Sequence, residues 1–155
     1  MGLIKTLLAT AAAAIAVTSM PASAGSAAND ARQLRQLDMM LMVTNLRCRR
    51  LGADFTNEYS RFSSAHLTTM KGANQQLLAT YGGNGSASQR TNNLDRMITA
   101  MANQYGLGHP WLECGELKQL AHDLSRERDY TRLLAAADEV LTPQRPSTLA
   151  FARAR

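Results

Sequence analysis

Two cysteines, Cys48 and Cys114, are the residues of this chain with the most definite chemistry. In an oxidising compartment a chain with one such pair forms a single disulfide. Bridging them would clamp the end of one helical segment to the start of another. Closing so long a loop is worth about 4 kcal/mol in the chain-entropy account. A redox-active pair would need Cys-x-x-Cys spacing to lower one thiol's pKa, and that spacing is absent. The lack of Cys-x-x-Cys-His also sets aside covalently attached haem.

The second concentration of chemistry runs from Tyr105 to Cys114 and holds the only tryptophan. In one reading it is a recognition corner: Trp111 is an aromatic anchor, and Tyr105, His109 and Glu113 are its neighbours. In the other it is structural, a Gly106-Leu107-Gly108 loop followed by Pro110 at a helix start, with Trp111 packed over the disulfide. The structural reading is favoured.

The histidines are His66, His109 and His122, and none forms a local metal motif. His66 with Met70, or Met97 with Met101, would put soft ligands on one helical face. Met39, Met40 and Met42 add to a copper reading. Methionines at helical spacing are more often core filler, so no metal and no cofactor is expected. General acid–base work needs a carboxylate beside a second carboxylate or a histidine. Glu58, Asp95, Glu113, Glu116 and Asp123 are available, and spacing singles out none. There is no Gly-x-Ser-x-Gly elbow. The glycine-rich loop Gly83 to Ser88 follows a helical pattern rather than a strand, so it is no dinucleotide fingerprint.

Stepping outward to the elements, residues 1–24 read as a secretory signal. Lys5 gives the charged start, Leu7 to Val17 the apolar run, Pro21 its break, and Ala22-Ser23-Ala24 the cleavage pattern. A second cut after Ala28 fits as well. About 131 residues remain after the first cut, one domain's worth. The formal charge of +5 falls to about +4 without Lys5. Arginine dominates it, at fourteen against three lysines. A mild positive charge in the envelope favours acidic surfaces or serves solubility; nucleic acid is not expected there. No second apolar run reaches spanning length.

The domain, 25–141, is expected to be all-α, a single bundle of four to five helices. Gly25 to Asn29 reads as a polar lead and Asp30 as the cap of a helix ending near Leu51, with Gly52 as its stop. Its stripe is Leu34, Leu37, Leu41, Cys48 and Leu51, and its apolar girth marks it as central. Asp54 caps a helix over about 55–80, with Phe55, Tyr59, Phe62, His66, Met70, Ala73 and Leu77 on one face. A third helix spans about 88–105 on Leu94, Met97, Ile98, Met101 and Tyr105. A fourth starts at Pro110 with Trp111, Cys114, Leu117, Ala121 and Leu124 inward. A fifth runs from an Asp129 cap to about Leu141 on Leu133, Leu134, Ala137 and Val140. Residues 142–155 read as a mobile tail.

The stretch Arg35 to Arg49, taken with Met101 to Cys114, resembles a group of short exported proteins of alphaproteobacteria, and the likeness covers most of the mature chain. It implies export and a small helical domain. Some members of that group are labelled S-adenosyl-L-homocysteine hydrolase. That enzyme is much longer, cytosolic, and holds NAD in a Rossmann domain, so none of its site residues carries over to this chain. A looser, architectural likeness is to periplasmic acid-stress chaperones. The expectation is an exported protein, of the periplasm or released outside the cell, that binds an unknown protein or envelope component without catalysis, or that buffers envelope stress; partly exposed methionines would suit such contacts. The alternatives are a small envelope-polymer hydrolase or transferase using a carboxylate–histidine pair, and the hydrolase of the label.

Overall fold

The computed structural model describes residues 22–81 and 83–143. Among them every regular element is a helix: α1 (Ala22–Arg50), α2 (Thr56–Ala65), α3 (Leu67–Tyr81), α4 (Ala87–Asn103), α5 (Cys114–Leu124) and α6 (Tyr130–Leu141). The all-α expectation holds; the count is six rather than four to five. Most of the expected signal over 1–24, and residues 144–155 of the expected tail, lie outside the described residues.

α1 is the centre, packed against all five other helices. Leu34, Leu37, Met40, Leu41 and Cys48 are buried along it, as its apolar girth requires. Met39 is buried too, so these methionines fill the core instead of offering an adaptable surface. α1 begins earlier than Asp30: the expected polar lead is helical, and Ala28 and Ala31 are buried. Alanine is the strongest helix former, and its small side chain lets the helix extend inside the bundle. The exit is a Schellman turn. Ala53 N–H donates to the Cys48 carbonyl and Gly52 N–H to that of Arg49, with Gly52 at φ +78°. Leu51 falls on that turn and is 65% exposed, off the expected stripe.

The helix expected over 55–80 is two helices that share one buried face. Phe55, Phe62, His66, Met70, Ala73 and Leu77 are all buried, but α2 stops at Ala65 and α3 starts at Leu67. The break is at His66, whose ring Nε2 meets the Leu124 carbonyl at 2.8 Å. A carbonyl only accepts, so Nε2 carries the proton. Neither glycine nor proline marks the break; a long-range bond to the end of α5 accompanies it. α2 and α5 lie side by side in the same direction, with Glu58 beside Lys118 (3.8 Å) at one level and His66 beside Leu124 at the other.

Local capping places the other boundaries. Ser86 accepts from Gln89 N–H at 3.3 Å while the Gln89 side chain accepts from Ser86 N–H at 2.8 Å, a capping box two residues ahead of the expected start. Asp129 caps α6 as expected, accepting from Thr131 and Arg132 N–H at 2.8 and 3.0 Å.

Candidate functional site

The Tyr105–Cys114 corner is an irregular connection from the end of α4 to the start of α5, not the first turns of a helix. Pro110 and Trp111 lie outside α5, which starts at Cys114. The physical reason lies in His109 and Glu116. The Nδ1 of His109 accepts the Leu112 N–H at 3.1 Å, with Trp111 N–H at 3.4 Å. These donors are satisfied without a helix. Glu116 then accepts the Glu113 N–H at 2.8 Å, and α5 opens at Cys114, four residues after Pro110.

The other ring nitrogen of His109 donates to the Val140 carbonyl at 3.0 Å. The imidazole is therefore the neutral Nε2–H tautomer, with both nitrogens committed to backbone. Burial holds its pKa below the ordinary value, against the opposing pull of the Val140 carbonyl and the Glu116 charge. Tyr105 stacks on this ring, with centroids 6.0 Å apart and planes 11° from parallel. Its hydroxyl accepts from Gln36 Nε2 at 3.2 Å, which ties the stack to α1. Burial raises the phenol's pKa. Trp111 meets His109 edge-on at 4.6 Å.

Two further ties hold the corner to the end of α1. Cys48 and Cys114 form the disulfide, with Cα atoms 5.7 Å apart. Gly108 sits at φ +108° directly against Arg47, so a Cβ there would come within 3.0 Å of Arg47 Nε. Only glycine combines that backbone conformation with so close an approach.

The four expected corner residues divide. Tyr105 is buried and His109 half-buried, both spent on internal contacts. Glu113 is exposed and is the N-cap residue of α5. Trp111 is 37% exposed, part of its ring open to solvent and its edge contact made with His109. Leu107, to which the sequence assigned no role, is 89% exposed at the tip between Gly106 and Gly108. Its only sequence signal was the pair of flanking glycines. The corner thus has a polar and aromatic inner side, while Leu107 and Trp111, four residues apart, are its large apolar groups with surface open to solvent.

Of the expected carboxylates, Glu116 acts on His109 through its charge; the partners of three others lie elsewhere. Glu58 faces Lys118. Asp123 accepts from Gln119 Nε2 at 2.9 Å. Asp95 lines an open groove with Asn92 and Arg96. Among the described residues no three His, Cys, Asp or Glu side chains gather as a metal site. A trio around buried Asp38, which the sequence did not single out, lies elsewhere. Asp38 accepts from Arg35 Nη1 at 2.6 Å and from the Tyr59 hydroxyl at 3.2 Å. Burial raises the Asp38 pKa, with Arg35 opposing it. The Tyr59 hydroxyl is raised strongly by burial and by the Asp38 charge.

Among the described residues no helix is long and apolar enough to cross a membrane. Comparison with protein families, curated proteins and solved structures returns no match for this chain.

Proposed function

We propose that this chain is a non-enzymatic, exported binding protein of the cell envelope that docks a partner protein through the outer side of the 105–114 corner. One observation carries the reading: Leu107 and Trp111 are displayed on a loop held from beneath by the disulfide, by both nitrogens of His109 and by Arg47 against Gly108. Displaying a leucine and a tryptophan costs solubility, and an aromatic anchor on a rigid support loses little entropy on binding. The disulfide suits the oxidising compartment to which the N-terminal signal would send the chain. His109 is poorly placed to serve as a general base, because its acceptor lone pair is already occupied.

The test is retention of a partner from the native envelope by the oxidised protein, compared with a Leu107→Ser, Trp111→Ala variant. Leu107 is 89% exposed, so Leu107→Ser alone should melt within a degree or two of the parent. Trp111→Ala also removes the edge contact to His109, so retention by the double variant is compared at a temperature where its melt shows it folded. A protein held by the parent and lost by the variant supports the reading. Equal retention by both, or none by the parent, overturns it.

A further inference from the structure

At the far end of α5 from the corner, about 16 Å along the helix, a shallow groove of about 650 Å³ opens between α2 and the α5–α6 turn. Its polar lining includes Ser60, Arg61 and Ser64 from α2, His122 from α5, and Arg126 and Arg128 from the turn. No carboxylate lines it. Among the described residues none of the three arginines takes part in a salt bridge.

Cations near a helix C-terminus have an ordinary explanation, since they offset the carbonyl end of the dipole. Here that end is already served. The Ser125 hydroxyl donates to the His122 carbonyl at 2.6 Å. Arg128 Nη1 donates to the carbonyls of Ser125 and Glu127 at 3.1 and 3.2 Å. Arg126 is surplus to this capping, and Arg61 comes from a different helix. The acids of the turn are engaged elsewhere. Glu127 accepts the N–H groups of Arg128 and Asp129 at 2.8 and 2.7 Å, and Asp129 caps α6. Three arginines therefore line one concave surface whose lining holds no carboxylate, and Arg128 is already fixed in place.

We propose that this groove binds a phosphate group. The guanidinium fork matches phosphate oxygens in pairs, and hydroxyls such as those of Ser60 and Ser64 donate to the remaining ones. A bound anion would also relieve the repulsion among the arginines. The phosphate can come from free inorganic phosphate or from the diester headgroup of an anionic phospholipid, and the chemistry of recognition is the same.

The experiment uses the full oxidised protein at low salt. Calorimetric titration with inorganic phosphate forms one arm. Flotation with vesicles of phosphatidylglycerol in phosphatidylcholine, against phosphatidylcholine alone, forms the other. Arg61→Gln with Arg126→Gln should weaken binding by about tenfold or more, as the loss of charge-assisted hydrogen bonds requires. Arg90→Gln with Arg96→Gln on α4 removes the same charge and should change binding by less than about twofold. Ser64→Asp puts a carboxylate into the groove while every guanidinium stays in place, and it should abolish binding even if the glutamine pair folds poorly. Binding in the phosphate arm alone identifies a free-anion site, and in the vesicle arm alone a headgroup site; either supports the proposal. Equal losses in the groove and α4 variants, unchanged binding in Ser64→Asp, or no binding in both arms overturns it.

Discussion

His109 donates from Nε2 to the carbonyl oxygen of Val140, 31 residues further along the chain, at 3.0 Å. That bond joins the corner to the end of α6, while the opposite nitrogen holds the Leu112 N–H. A single neutral imidazole thus organises a loop that has no regular hydrogen-bond ladder of its own.

This tautomer makes the corner sensitive to acid. A second ring proton would set Nδ1–H against the Leu112 N–H, donor facing donor. Because burial holds the folded pKa below the ordinary value, the unfolded chain takes up this proton first as pH falls. The stabilisation is complete above about pH 6.5 and declines as pH drops through that value toward the lower folded pKa. Denaturant unfolding at pH 7.5 and pH 5 should show a loss in the parent that is smaller in His109→Gln. At pH 7.5 the substitution itself should cost about 1–3 kcal/mol, because it leaves buried backbone groups without partners.

Removing the disulfide with Cys48→Ser and Cys114→Ser should destabilise the chain by about 4 kcal/mol, since 66 residues separate the two positions. Denaturant midpoints under oxidising conditions measure this. A reducing agent should bring the parent to the same midpoint, and the double variant should not respond to it.

Gly52 and Gly108 both occupy positive φ, but they differ in surroundings. Gly52→Ala meets open space and should cost only the backbone strain, about 1 kcal/mol. Gly108→Ala must also displace Arg47, so its loss of stability should be the larger of the two. Thermal melts of the two variants side by side decide this. The same Gly108 substitution should weaken partner retention at the corner even at temperatures where the chain stays folded.

Carboxyl NMR titration should place the Asp38 midpoint above the ordinary 3.8. Arg35→Gln should move it higher still, because the Arg35 charge is the main influence holding it down. The sign for stability is opposite to that of His109. With a raised folded pKa, the contribution of Asp38 is fullest below its unfolded value and is lost as pH rises through the folded one.

Asp129→Ala should cost about 1 kcal/mol by freeing the first N–H groups of α6. The loss should be found in the global unfolding free energy, because Leu133, Ala137 and Val140 tie that helix to the core.

Much of the fold was legible because its signals are local. Apolar spacing gave α1 its central place, and Gly52, Asp129 and the Gly83–Ser88 run mark boundaries through backbone chemistry that acts within a few residues. The shared face from Phe55 to Leu77 was readable as well, but its interruption at His66 was not, since it coincides with a carbonyl 58 residues away. Pro110 misled for the same reason. Proline permits a helix start without compelling one, and the side chains of His109 and Glu116 moved the start to Cys114. In the candidate site, the disulfide pairing followed from the cysteine count together with the oxidising compartment expected from the N-terminal segment. The division between buried Tyr105 and displayed Leu107 and Trp111 did not, because it depends on which side of the loop the end of α1 covers.

By itself, then, the sequence determined an all-helical chain with one possible disulfide pair, a core of leucine, methionine and alanine, and caps at several helix ends. Those properties depend on side-chain type and on spacing of three or four residues. Packing settled that two nitrogens of one histidine are spent on distant and near backbone, that Tyr105 is buried while Leu107 is exposed, and that arginines from α2 and the α5–α6 turn line one groove. Each of these depends on segments far apart in sequence being brought within hydrogen-bond or Coulomb range, and one-dimensional spacing does not encode that range.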